Sequence, residues 1–423
     1  MALFTEALKL PGNNRMIFYN KQGRMMLNPR QVKTREDAQR IVEERQLTHV
    51  KVGVFDMDGV MLGKYMSRDK FFSSLQHGFA FCDVILGWDS KDKLYDNTKY
   101  TGWHTGYPDA HVRILPESCR ELVFENNQLL FMAEFDGRAE ALCPRAILRR
   151  VIQKAEQMGF NPFAALEYEF FMFDETPESI RAKGFRDLKP ITPDFFGYSV
   201  LRNTVHAELY HQILNMAEVM DFPIEGLHTE TGPGVIEAAI AYDHAEAAGD
   251  KAALFKTCMK ILAQRNNMMA TFMAKWSPNY PGQSGHIHVS LQHRDGSGSA
   301  FYDPSKPHNM SKCQMHFLAG QQRLMPELLA MFSPTINSYK RLIPGFWAPT
   351  DATWGVENRT TALRVIPGNE KSQRIEYRLG SADANPYLAL AAAIGSGLYG
   401  IEHELEPEPE VKGNSYEQTH DKT

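Results

Sequence analysis

The segment Phe163-Ala164-Ala165-Leu166-Glu167-Tyr168-Glu169-Phe170-Phe171-Met172-Phe173 restricts what this chain can fold into more than any other. It is apolar and aromatic enough for a buried strand, yet it carries two carboxylates two positions apart. Alternation along a strand turns Glu167 and Glu169 to the same face. Two ionised carboxylates on one buried face repel each other and lose hydration, so the arrangement requires a cation between them. The plain alternative is a solvated face with two surface glutamates, the more frequent case for an isolated E-x-E. Recurrence of the arrangement further along the chain decides against it.

In His228-Thr229-Glu230-Thr231-Gly232-Pro233-Gly234-Val235-Ile236-Glu237, the Gly-Pro-Gly forces a tight turn, which brings Glu230 and Glu237 onto the two arms of one hairpin. Gly285 to Ser290 reads as a strand with His286, His288 and Ser290 on one face; such histidines, taken singly, are more often structural than metal-bound. Arginines follow at Arg341, Arg359 and Arg364, and the strand from Arg374 to Arg378 turns Arg374, Glu376 and Arg378 the same way. Glu167, Glu169, Glu230, Glu237, Glu376 and His286 would make six hard ligands in one cavity, a set that two or three divalent ions neutralise. Oxygen-rich ligands without cysteine favour Mg²⁺ or Mn²⁺ over Zn²⁺. The arginines are rigid, permanently charged forks suited to phosphate and carboxylate. With no Gly-rich P-loop, these residues point to metal-assisted phosphoryl transfer outside the P-loop class and leave the substrate open.

The rest of the chain supplies the frame. Its 423 residues suffice for two domains, and a formal charge of −5 with no basic stripe speaks against nucleic acid or an anionic membrane as partner. Five widely spaced cysteines without a C-x-x-C suit free thiols, and no stretch approaches a transmembrane helix, so a cytoplasmic protein is expected. Thr34 and Asp37 signal a helix start. Asp58-Gly59 reads as a hairpin turn between strands beginning at His49 and Val60. Asp56-Met57-Asp58-Gly59 also matches the D-x-D-G nucleophile motif of haloacid dehalogenase phosphatases, but no paired-aspartate magnesium motif follows and the hairpin is preferred. Residues 66–142 show short strands and no long helical period. Pro144 opens a helix whose stripe runs Ile147, Val151, Ile152, Ala155 and Met158, which puts a domain boundary near residue 140. Helices are also expected over Asn203 to Met220, through Gln264, and from Asn385-Pro386 to about Ile401. The segment Glu404 to Glu410, with Pro407 and Pro409, is expected to end the fold, and the tail beyond it to be disordered.

The motifs E-Y-E-F-F, H-T-E…V-I-E, G-H-I-H-V-S, S-Y-K-R-L-I-P-G, N-R and R-I-E-Y-R, in this order, closely resemble the glutamine synthetase family over about residues 48–404. The resemblance implies an α+β fold. Residues 1–47 would be an N-terminal extension and 48–140 a β-grasp domain. Residues 141–404 would form an ATP- and glutamate-binding catalytic domain with a curved antiparallel sheet flanked by helices, and 405–423 a tail. It further implies that Glu169, Glu230 and Glu237 hold the metal on the glutamate side, and that Glu167, His286 and Glu376 hold the nucleotide-phosphate metal. Arg341 and Arg378 would hold glutamate and its activated carboxyl. Arg359, Arg364 and Arg374 would face ATP phosphates, with His288 and Ser290 near the nucleotide. The family's chemistry is formation of γ-glutamyl phosphate followed by attack of an amine.

Two departures from the family pattern bear on which amine. Phe346-Trp347-Ala348-Pro349 stands where glutamine synthetases proper carry a flap glutamate that takes a proton from ammonium. Their N-terminal aspartate motif is missing as well; Phe81-Cys82-Asp83-Val84 occupies that region. Loss of negative charge disfavours a small cation, and an indole favours an alkyl or aryl body. The expectation is therefore a ligase joining glutamate to an organic amine, resembling γ-glutamylpolyamine, -alkylamide and -anilide synthetases, with a monoamine of apolar body preferred over putrescine. An ammonia-using glutamine synthetase is the alternative, and a non-catalytic relative a lesser one. The family's dodecamer of two hexameric rings is the expected assembly, with the loop from Phe81 to Asp89 completing a neighbour's site. The absence after Tyr416 of the family's C-terminal helical strap weakens that expectation.

Overall fold

The Thr34 hydroxyl accepts the Asp37 backbone N–H, and the Asp37 carboxylate accepts the Thr34 N–H, closing a capping box that starts helix α1 (Arg35–Glu44). The structure, a computed structural model, describes residues 27–418 and the backbone of 7–9 and 16–18. The chain divides into two compact units, residues 1–146 with 215–221, and residues 147–214 with 222–423.

In the first unit, β1 (His49–Phe55) and β2 (Met61–Ser67) form an antiparallel hairpin, Phe55 facing Met61. Gly59, at φ 76°, supplies the left-handed residue of its turn. Helix α2 (Arg68–His77), β3 (Phe79–Cys82), β4 (Asp109–Ile114) and β5 (Leu129–Phe135) complete a six-stranded sheet in the order β2-β1-β5-β4-β3, with the short strand Arg120–Glu121 also on β5. Its central pair, β1 and β5, is parallel. Helix α2 has no counterpart in the hydrophobic period, because it buries only Phe71, Ser74 and Leu75. Val32, Ala38, Ile41 and Val42 belong to the same core as Val50, Val52, Phe71 and Phe131, so the segment read as an extension packs into this unit from Val32 onward. Asp56 is buried and its carboxylate accepts the N–H groups of Asp58 and Val60. The D-x-D-G match is therefore turn chemistry.

The second unit opens within α3 (Pro144–Gln157), whose Leu148 and Ala155 are fully buried. Its sheet is built from β6 (Phe160–Phe173), β7 (Ile224–Thr229), β8 (Val235–Ile240), β9 (Gly285–His293), β10 (Trp354–Val356), β11 (Leu363–Ile366) and β12 (Arg374–Tyr377). They run β7-β8-β6-β9-β12-β11-β10, with short strands Asp243–His244 and Met269–Thr271 paired to β6. Every pair is antiparallel except β10 with β11. Helices α4 (Ala245–Arg265), α5 (Lys312–Leu324) and α6 (Pro386–Glu402) accompany the sheet, so the fold is α+β as expected. The helix expected over 203–220 is two, Val200–Val205 and Ala207–Val219, broken at His206. Asn385 caps α6 by accepting from Tyr387 and Leu388 N–H. Helices α5 and α6 meet backbone to backbone: a Cβ on Gly320 would lie 2.1 Å from the Ser396 carbonyl oxygen.

The tail corrects an expectation. Residues 405–418 are ordered and lie along β10. Trp354 Nε1 donates to Glu408 O at 2.6 Å, and Val411 N–H donates to Trp354 O at 2.9 Å. Asn358 Nδ2 donates to Gly413 O at 2.8 Å and to Val411 O at 3.2 Å. A proline- and glutamate-rich segment has no period of its own; here its backbone finds partners on a sheet edge and the adjoining turn.

Candidate active site

Strand pairing lines up the polar residues on one face of the second unit's sheet. Glu169 on β6 is the register partner of Glu237 on β8, and Glu237 that of His228 on β7. Glu167 pairs with His286 on β9, His288 with Glu376 on β12, and Glu376 with Arg364 on β11. The period-two reading of each strand thus becomes a single surface across six strands. Above it lies a cavity of about 530 Å³, lined by all six predicted metal ligands and by His288, Arg341, Trp347, Arg359, Arg364, Arg374 and Arg378. Ser290 is not among the lining residues; it lies further along β9, opposite Phe163.

The charges in this cavity are unbalanced on one side and paired on the other. Burial, together with Glu169, Glu167 and Glu230, pushes the Glu237 carboxyl up to about 10. Burial would raise Glu376 too, but His286, Arg378 and His288 hold it down to about 2. Arg364 Nη1 donates to Glu376 Oε2 at 2.9 Å, and Arg378 donates to the other oxygen. Glu167 is held below the usual carboxylate range, the two histidines outweighing its burial. His286 Nδ1 stands 3.3 Å from Glu376 Oε1 and 3.8 Å from Glu167 Oε2, while its buried Nε2 has no hydrogen-bond partner among the described residues. Arg374 Nε donates to His288 Nδ1 at 3.2 Å, which leaves the ring proton on Nε2, 3.2 Å from Glu167 Oε1. Arg341 is buried in the cavity wall and donates to the carbonyls of Leu379 (2.8 Å) and Arg378 (3.2 Å). Desolvation lowers its guanidinium to about 10.

Donor atoms converge in three groups: Glu167, Glu237 and His286; Glu167, His288 and Glu376; and His228, Glu230 and Glu237. Within each group, atoms lie within 4.8 Å of one another. The residues fit hard divalent ions on two counts. Glu237 keeps its charge near neutral pH only beside a cation, and His286 Nε2 is a buried donor atom with nothing to bind.

Several lining residues escaped the sequence reading. His228 stands two positions before Glu230 and so shares its face, a signal the alternation already contained. Tyr198 carried none. It sits in a loop at φ 55°, its N–H donating to Thr229 O, and its ring stacks on His228 with centroids 4.6 Å apart. Phe346 and Trp347 belong to a loop with Gly345 at φ 83° and Trp347 at φ 58°; Trp347 is 56% exposed. Further along β6 on the same face, Phe163 packs against His244 with the rings tilted by 33° and centroids 4.3 Å apart, and Tyr242 meets Phe163 edge-on. In the first unit, Asp83 is buried and accepts the Thr101 hydroxyl at 2.5 Å.

The family pattern described as "Glutamine synthetase, catalytic domain" matches residues 141–423. The chain belongs to the glutamine synthetase family. Type-1 glutamine synthetase 2 of Dictyostelium discoideum is 44% identical over 374 residues, covering 87% of this chain and 71% of that protein. Glutamate–isopropylamine ligase of a Pseudomonas species is 35% identical over 381 residues, covering 89% and 82%. Among solved structures, GmaS in its ADP complex superposes with a TM-score of 0.77 at 24% identity over 90% of this chain and 85% of that one, a likeness of fold. Among the described residues, no helix is long and apolar enough to cross a membrane.

Proposed function

We propose that the protein is an ATP-dependent ligase joining the γ-carboxyl of glutamate to an organic amine through γ-glutamyl phosphate, with release of ADP and phosphate. In this reading Glu169, Glu230 and Glu237 hold one divalent ion and Glu167, His286 and Glu376 another, Mg²⁺ or Mn²⁺, two to three per site. Bound there, such ions offset charge on the transferring phosphoryl group. Arg341 and Arg378 hold glutamate, while Arg359, Arg364 and Arg374 face the phosphates, so that developing negative charge meets fixed donors. The Phe163–His244 ring pair lies on the metal-bearing face four residues before Glu167, and Ser290 is Phe163's register partner; the adenine base packs against these rings, with His288 nearer the phosphates.

The observation that carries the amine assignment is Trp347 lining the cavity beside Phe346, with no carboxylate of that loop lining it. The carboxylates lining the cavity are Glu167, Glu169, Glu230, Glu237 and Glu376, all within the metal set. None is left over to pair a second ammonium, which favours a monoamine with an apolar body over a diamine. Each methylene buried against the indole contributes about 0.8 kcal/mol. An amine panel at fixed ATP and glutamate, read by phosphate release, tests this: an alkyl- or arylamine should exceed ammonia in kcat/KM by at least about tenfold. If ammonia is the best substrate, the second reading holds, a glutamine synthetase, which the 44% identity to the Dictyostelium enzyme favours. Assembly into a dodecamer, or at least a hexamer, belongs to the same proposal; light scattering of a fully active monomer would refute it.

A further inference from the structure

Lys275 is 5% exposed and touches two loops that border the cavity. Its Nζ donates to Tyr280 O within the loop 274–283, whose base is closed by Gln283 N–H to Ala274 O at 2.8 Å. Pro281, Gly282 and Ser284 at the end of that loop line the cavity. The same Nζ stands 4.9 Å from the centroid of the Phe346 ring. Phe346 is 40% exposed, and its neighbour Trp347 is more so, so few contacts of their own hold these rings. The backbone of Lys275 is fixed independently: its N–H donates to Asn337 Oδ1 at 2.9 Å, and Asn337 Nδ2 donates back to Lys275 O at 2.7 Å.

We infer that Lys275 is a positioning residue that latches the Phe346-Trp347 loop to the loop 274–283 and thereby sets selectivity for the amine body. Burial lowers the Lys275 pKa, and among the described residues no carboxylate offsets that effect. An ammonium stripped of water and left without a counter-ion binds an aromatic face more strongly than a hydrated one does. Its carbonyl bond and the Phe346 π-face are then its partners, and the ring is held because the charge needs it. Trp347 follows Phe346 directly, so the latch fixes where the indole wall stands.

The selectivity clause rests on the ligase reading; the latch does not, and the two are measured separately. Lys275→Met keeps the chain length and removes the charge, whereas Lys275→Arg keeps the charge. In the full-length protein, a protease that cuts after aromatic residues should cleave at Phe346 or Trp347 about fivefold faster in Lys275→Met than in wild type or Lys275→Arg. Unchanged cleavage with an unchanged melting temperature overturns the latch, as does equal acceleration in Lys275→Arg. If Lys275→Met proves too unstable, Phe346→Leu gives the same readout from the other partner, and the double variant should cleave no faster than Phe346→Leu alone. In turnover, Lys275→Met should raise KM for the best amine about fivefold while KM for ATP stays within about twofold. An equal rise for both substrates overturns the selectivity role. A wild type inert towards every organic amine refutes the ligase reading and leaves the cleavage result standing.

Discussion

Glu169 and Glu237 face each other as register partners on adjacent antiparallel strands, two carboxylates with no cationic side chain between those strand positions. In metal-free protein Glu237 is pushed up to about 10, so at neutral pH the folded chain holds a proton that the unfolded chain has released. Its folded-state pKa is raised, so its contribution to stability is complete below the unfolded value of 4.5 and is lost as pH rises toward about 10. Glu376, held down to about 2, acts in the opposite sense and only below that window. Urea midpoints should therefore fall between pH 6 and pH 9 without divalent ions, and the fall should flatten with saturating Mg²⁺ or Mn²⁺. An identical slope with and without the ions would rule out a cation beside Glu237.

Removing single ligands tests the metal set directly. Glu169→Ala and Glu376→Ala should abolish ATP- and glutamate-dependent phosphate release. Asp56→Ala should leave the metal requirement intact while lowering stability by about 1–3 kcal/mol, since two turn N–H groups lose their acceptor. Full turnover in Glu169→Ala would be incompatible with the assignment.

Trp347→Glu replaces the indole in the cavity wall by a carboxylate. The kcat/KM ratio of organic amine to ammonia should shift toward ammonia by about tenfold or more. The shift should stay partial, because Asp83 is buried and engaged by Thr101. A ratio that does not move would remove Trp347 from the selectivity argument.

Phe163→Ala and His244→Ala should each raise KM for ATP by about tenfold, the scale of one lost base-stacking surface, with KM for glutamate little changed. Equal effects on both substrates would mean that the pair only supports the sheet.

The sequence disclosed most where chemistry and period coincide. Alternation alone turned Glu167, Glu169, His286, His288 and Glu376 to one face, and the pairing of β6, β9 and β12 brings them together. The Thr34 and Asn385 caps and the Gly59 turn were legible for the same reason, since each depends on a few adjacent residues. What stayed hidden depends on partners far along the chain. Helix α2 buries too few residues to show a stripe, and the tail is ordered by Trp354 and Asn358 rather than by its own composition. Tyr198 enters the cavity because Thr229 O holds its loop, which no local pattern encodes.

Trp347 occupies a backbone conformation at φ 58° that glycine adopts freely and that is unfavourable by about 1–2 kcal/mol for a residue with a side chain. The requirement for an indole and the preference of the backbone therefore oppose each other at one position. Directed evolution for thermal tolerance alone should find Trp347→Gly early, and with it lose the aromatic wall; a screen that also demands turnover of the amine should hold the tryptophan and gather its stabilising changes elsewhere. Natural relatives under weaker demand for one amine would be expected to drift the same way, so the residue at this position records how strictly a given chain has been selected for its acceptor.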